Sequence, residues 1–309
     1  MLVVSALMAA GVSPRCVAAA TTPLEHVIVY MKENHSFDNY FGTYPGGAPG
    51  VARPDGIPAG TRLPDIKGGY PYIHPFRFPA TQTNTGSQDP DHDPGPQLAN
   101  YDGGKNDGFV YSSTVGTTAV GYFTAPQLAA YWSYASAFTL SDGYFCSVLG
   151  PSQPNRLFGY LAQSGRIVDN NQVIDGRDIF MDPLRIPAVQ TLLDQAGISW
   201  RIYVENLPTP TPAAPYTTGD FDSTIQYPGG PMENVVPFSE YFQDLKNATL
   251  PQVAYIVGSN AHDEHPGVDI STLKTIDIVE GELVTIQIVN ALMKSSYWPS
   301  SALLLTYDE

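Results

Sequence analysis

The apolar run Val27-Ile28-Val29-Tyr30-Met31 leads almost directly into Glu33-Asn34-His35-Ser36-Phe37-Asp38-Asn39-Tyr40-Phe41-Gly42, and this junction points to the class of fold. A near-continuous β-branched run reads as a strand buried on both faces. Ending it in a carboxylate, an amide and an imidazole puts hard oxygen and nitrogen donors at the edge of a sheet, where open α/β sheets build their sites.

The same pattern recurs twice. Residues 252–257 form an apolar run that ends in Asn260-Ala261-His262-Asp263-Glu264-His265, and residues 302–307 form another that ends in Asp308-Glu309. Between them the periodicity predicts helices over 125–137, 187–196, 238–246 and 280–295, a strand over 198–204, and an extended aromatic segment over 138–148. Strands alternating with helices argue for an α/β fold, a mostly parallel central sheet with helices on both faces. In such a sheet the strand ends share one edge, so Glu33, Asn34, His262 or His265, Asp308 and Glu309 are expected to converge there. Two stretches rich in Gly and Pro, 43–90 and 205–237, read as long insertions between regular elements.

Composition narrows the function. The chain of 309 residues carries 15 Lys and Arg against 30 Asp and Glu, a net charge of −15. That balance excludes nucleic acid as a partner, since affinity for it rests on neutralising phosphates. It also disfavours docking onto strongly anionic membranes. Residues 2–20 read as a secretory signal cleaved near Ala20, although no basic residue precedes the apolar stretch. The competing reading is an apolar tail on a cytoplasmic protein. Export would leave residues 21–309 as one secreted catalytic domain, with no transmembrane segment and only Cys146 as a thiol.

Ser152 lies in Gly150-Pro151-Ser152-Gln153-Pro154-Asn155-Arg156, where Pro154 is expected at the first position of a helix. A serine just ahead of a helix is most often an N-cap, and equally a place where unpaired backbone N–H groups favour an alkoxide or phosphate. Local sequence leaves both open. No Gly-x-Ser-x-Gly elbow surrounds it, which argues against a Ser-His-Asp acyl hydrolase.

Several blocks occur in a fixed order: residues 26–42 quoted above; Asp89-Pro90-Asp91-His92 with Gly103-Gly104-Lys105-Asn106-Asp107-Gly108-Phe109; Asp142 through Arg156; Asp263-Glu264-His265-Pro266; and Thr306-Tyr307-Asp308-Glu309. Together they resemble the bacterial phosphoesterase family of phospholipases C and secreted acid phosphatases, a branch of the alkaline-phosphatase-like superfamily. The resemblance implies a divalent metal cation held by Glu33, Asn34, Ser152, Asp308 and Glu309, with Ser152 as nucleophile. It implies that His92 and His265 line the phosphate pocket, and Arg156 adds positive charge beside the nucleophile. With it, the nucleophile reading of Ser152 overtakes the cap.

The chain departs from the family at His35, where relatives usually carry Arg. It also stops at Glu309, where the family motif continues with a Gly-Gly turn and a later Asp-His. The expectations are therefore an incomplete domain with a frayed terminal ligand pair. The activities the resemblance implies are phospholipase C-like cleavage, which the acidic balance directs to zwitterionic phospholipid, acid phosphatase action on small phosphate esters, or a truncated relative without catalysis.

Overall fold

The computed structural model describes residues 22–46, 52–65, 69, 71–170, 173–174, 177–178, 189–207, 234–269 and 272–309. The expected signal segment at 1–20 and most of the 205–237 insertion lie outside these described residues.

Five strands form the central sheet: β1 (His26–Lys32), β2 (Trp200–Val204), β3 (Val235–Pro237), β4 (Val253–Val257) and β5 (Ser301–Tyr307), in the spatial order β5-β1-β4-β2-β3. Every pairing is parallel. The three apolar runs singled out in the sequence are the three adjacent strands β5, β1 and β4. Because parallel strands cannot be joined by tight turns, the connections from β1 to β2, from β3 to β4 and from β4 to β5 cross over through helices.

Side-chain alternation along the strands makes two cores. Val29, Ile202, Val204, Tyr255 and Val257 point to one face and pack with Leu157 and Leu193, from the Ser152–Leu161 and Val189–Ala196 helices. Ile28, Tyr30, Tyr203, Ala254 and Ile256 point to the other, against Tyr241 and Leu245 of the Ser239–Asn247 helix and Val284, Ile288 and Leu292 of the Ile278–Lys294 helix. The apolar stripe of Ile278–Lys294 thus meets the sheet, and its first turn is capped where Val279 N donates to Asp277 Oδ1 at 2.9 Å.

The Ala129–Ala137 helix begins three residues after Pro126, because its first backbone N–H groups are satisfied from outside. Ala130 N and Tyr131 N donate to Glu282 Oε1 of the long helix, at 2.8 and 3.1 Å.

The expected extended segment over 138–148 is not a strand. It forms bends and a loop with no sheet partner, and its aromatic side chains Tyr144 and Phe145 are exposed.

Candidate active site

Register brings the first and last motifs together. Lys32 of β1 is paired with Tyr307 of β5, so Glu33 and Asp308 leave the sheet side by side. Asp308 N donates to the Lys32 carbonyl at 3.1 Å, and Asn34 N donates to Asp308 Oδ1 at 3.1 Å. Glu33 N is held from the β4 side by the Asp263 carbonyl at 3.1 Å. Asn34 takes a left-handed backbone, φ 54°, a conformation asparagine tolerates better than most residues. The acidic pair is not frayed: Asp308 is buried and hydrogen-bonded on both carboxylate oxygens.

Ser152 is placed differently from the sequence expectation. The helix starts at Ser152 itself, with Pro151 as the N-cap residue, and Pro154 sits two positions further in. Pro151 and Pro154 both lack N–H groups that the first turn leaves unpaired in any case. The Ser152 hydroxyl makes no capping bond. It donates instead to Glu309 Oε1 at 3.0 Å and lies 3.5 Å from Asn34 Oδ1. Its neighbours are therefore side chains delivered by β1 and β5, not its own helix.

Beneath these groups lies Arg156, one turn along the same helix and 2% exposed. Nε donates to Asp308 Oδ2 at 2.8 Å, and Nη2 reaches Glu33 Oε2 and Asp263 Oδ2, both at 3.3 Å. The guanidinium neutralises buried carboxylates directly and stands behind the hydroxyl. Asp263, to which sequence reasoning gave no role, is the third of these partners. Its position one residue after His262 at the end of β4 was the available signal.

One guanidinium against Glu33, Asp263, Asp308 and Glu309 leaves an excess of negative charge. Burial pushes the Asp263 carboxyl up to about 8 despite the opposing pull of Arg156. Burial also raises Glu33 and Glu309, the latter well above the usual carboxylate range with further push from Asp308 and Glu33. Glu309 Oε2 and Asp263 Oδ1 are buried with no hydrogen-bond partner. An orphaned carboxylate oxygen beside Glu33, Asn34 Oδ1 and the Ser152 hydroxyl is an all-oxygen set that suits a hard divalent cation.

Asn34 joins this acidic side to a pair of histidines. Its Nδ2 lies 3.4 Å from His92 Nε2 and 3.2 Å from His265 Nε2. The Nδ1 of each ring faces a backbone carbonyl, Pro90 at 2.8 Å and Pro266 at 2.7 Å, which holds both rings with Nε2 toward Asn34. Asp89 stands behind them, 3.7 Å from His92 Nδ1 and 3.9 Å from His265 Nε2. One ligating atom each from Asp89, His92 and His265 lies within 4.8 Å of the others, so this trio is itself a group able to hold a metal ion. His262 is not in the pocket: its Nδ1 pairs with Glu205 at 2.7 Å.

Sequence reasoning missed the support behind the site. Glu264 is fully buried, with φ 69°, so Asp263 and His265 on either side of it serve Arg156 and the histidine pocket. Its Oε1 accepts from Lys32 Nζ at 2.6 Å and from Tyr131, and its Oε2 accepts from Tyr40 at 2.8 Å and Tyr307 at 3.1 Å. A Cβ on Gly281 would come within 2.3 Å of Glu264 Cγ, so only glycine lets the long helix approach this closely. His35 is buried beside it, with Nδ1 on Asn39 Oδ1 and Nε2 on the Glu264 carbonyl, both at 2.7 Å. Burial lowers its pKa.

The model of the phosphoesterase family matches residues 24–309. The chain belongs to the phosphoesterase family. Among similar proteins, it is 26% identical to phospholipase C B of Mycobacterium tuberculosis, an alignment covering 93% of this chain and 58% of that protein. It is 29% identical to the non-hemolytic phospholipase C of Burkholderia pseudomallei, over 93% of this chain and 44% of the relative. It is 30% identical to that of Pseudomonas aeruginosa, over 93% and 42%. The chain thus spans about half the length of these phosphoesterase relatives. No helix among the described residues is long and apolar enough to cross a membrane.

Proposed function

We infer that the chain is the catalytic part of a secreted phosphoesterase that cleaves phosphate esters through Ser152, in the manner of a phospholipase C. The observation that carries the reading is the Ser152 hydroxyl, free of capping duty, bonded to Glu309 at 3.0 Å, with Asn34 between it and two histidines.

A divalent cation bound by Glu33, Asn34, Ser152, Asp308 and Glu309 would supply Lewis-acid polarisation of a phosphoryl oxygen and favour the serine alkoxide. Among the chain's own groups, Glu309 Oε1, which accepts the Ser152 hydroxyl hydrogen at 3.0 Å, is placed to take its proton. Ser152 Oγ attacks phosphorus as the bond to the leaving oxygen breaks. The positive end of the helix dipole at Ser152 favours the negatively charged phosphoryl oxygens. His92 or His265 gives a proton or a hydrogen bond to the leaving oxygen. Water then hydrolyses the phosphoseryl ester. Arg156 contributes by fixing Glu33 and Asp308, since transfer of this kind needs mainly positioning and charge neutralisation.

Ser152→Ala is expected to abolish hydrolysis of a soluble chromogenic phosphate ester while metal content stays intact. Undiminished turnover would remove the nucleophile assignment. Comparing a choline phospholipid with a phosphate monoester decides between phospholipase C-like and acid-phosphatase-like action. The acidic surface favours zwitterionic lipid over anionic lipid.

A further inference from the structure

The loop that failed to become a strand stands in an unusual place. Residues 143–149 run directly into the buried Gly150 and Pro151 and so into Ser152. Three large apolar side chains of this loop face solvent: Phe145 is 79% exposed, Tyr144 57% and Leu149 44%. Clusters of exposed apolar side chains on a folded protein mark interaction surfaces.

The backbone that presents them is held at both ends. Asp142 Oδ2 accepts from Asp55 N at 2.8 Å. Asn155 grips the other end from within the Ser152 helix: its Oδ1 accepts from Ser147 N at 3.0 Å and Val148 N at 2.9 Å, and its Nδ2 donates to Gly150 O at 2.9 Å and lies 3.2 Å from Val148 O. A Cβ at Gly150 would meet the Val168 carbonyl at 2.5 Å, so the loop's exit is packed without slack. A side chain one turn into the nucleophile's helix therefore fixes the aromatic tip relative to Ser152.

The chemistry of the tip selects a partner. From Gly143 to Asn155 there is no charged side chain, in a chain of net charge −15. Such a surface offers no complement to a charged protein, and the surrounding acidity opposes anionic lipid. Tyrosine, phenylalanine and leucine exposed on one loop suit the boundary between head groups and acyl chains. We propose that the 143–149 loop docks the protein on zwitterionic phospholipid surfaces by inserting Tyr144, Phe145 and Leu149, and that Asn155 carries this docked position to Ser152. The proposal rests on the phosphoesterase reading for the identity of the substrate, though the docking surface itself does not depend on turnover.

Cosedimentation with phosphatidylcholine vesicles tests it. The Tyr144→Ser/Phe145→Ser variant is expected to partition at least about tenfold more weakly than wild type, the effect of withdrawing two aromatic side chains from an apolar phase. Its kcat/KM on a soluble chromogenic phosphate ester is expected to stay unchanged, and phosphatidylserine in the vesicles is expected to weaken wild-type binding. In Phe145→Trp, added tryptophan emission should shift to the blue on addition of phosphatidylcholine vesicles. Equal partition of wild type and variant, absence of wild-type binding, or an unshifted emission from Phe145→Trp would overturn the docking surface. A wild type that binds vesicles through the loop yet hydrolyses neither lipid nor soluble ester would sink the phosphoesterase reading and leave the docking surface standing.

Discussion

Replacing Arg156 by methionine removes the guanidinium that touches Asp308, Glu33 and Asp263 and leaves its volume filled. Three charge-assisted contacts disappear, at 2.8, 3.3 and 3.3 Å, from a side chain that is 2% exposed. Breaking a buried ion pair from one side costs about 3–5 kcal/mol, because the abandoned charge keeps its desolvation penalty. Glu33 and Asp263 can relieve that penalty by protonating, since burial raises both and holds Asp263 up to about 8 even with Arg156 present. Without the guanidinium both rise further above their wild-type folded values. Between the wild-type and variant folded values the variant holds a proton that the wild type has lost, so the loss grows as pH rises through that range. With wild-type Asp263 at about 8, the loss should thus be near its full size at about pH 9 and clearly smaller at about pH 5. Arg156→Lys keeps the charge without the planar fork and should lose roughly half as much. Urea unfolding followed by circular dichroism, with EDTA present at both pH values, gives the comparison. A loss in Arg156→Met below about 1 kcal/mol, the scale of an exposed pair, or a loss independent of pH, would refute the idea that this arginine offsets the buried acids.

A divalent cation added to chelator-treated protein should raise its melting temperature, by an amount equivalent to about 2.7 kcal/mol at a free concentration one hundred times Kd. Glu309→Gln should remove most of that gain, and a wild type indifferent to cations would rule out the proposed oxygen site. Glu264→Gln abandons the buried Lys32 ammonium and is expected to cost about 3–5 kcal/mol in chemical denaturation; a variant as stable as wild type would show that the tyrosines alone satisfy Lys32. The His262–Glu205 pair gives a pH-dependent contribution outside the pocket. The hydrogen bond to Glu205 raises His262, so its stabilisation is full below the unfolded value of 6.5 and fades as pH climbs through the folded one. Burial pushes Glu205 up but is outweighed by its bonds to His262 and Ser259, so its share fades instead as pH falls below 4.5 toward the folded value. With His262 30% exposed, His262→Ala should cost no more than about 1 kcal/mol between these limits and little in alkaline buffer, as read by calorimetry.

Sequence alone determined the parallel sheet and which residues end its central strands. Near-continuous apolar runs at 27–31, 252–257 and 302–307, short and alternating with helical stretches, read as strands covered on both faces, and in a parallel sheet the polar residues directly after them emerge at a common edge. Glu33, Asn34, Asp308 and Glu309 come to one place on that ground. Only the tertiary structure decided what those groups touch. The partner of the Ser152 hydroxyl depends on the register of β1 with β5, which no spacing in the chain encodes. The choice of His265 over His262 depends on a left-handed residue, Glu264, whose conformation is held by Lys32, Tyr40, Tyr131 and Tyr307 from four separate segments. Aromatic propensity suggested an extended segment before Ser152, and the structure makes it a run of bends and loop. Local pattern specifies where donors leave a strand; distances between them are set by pairings hundreds of residues apart.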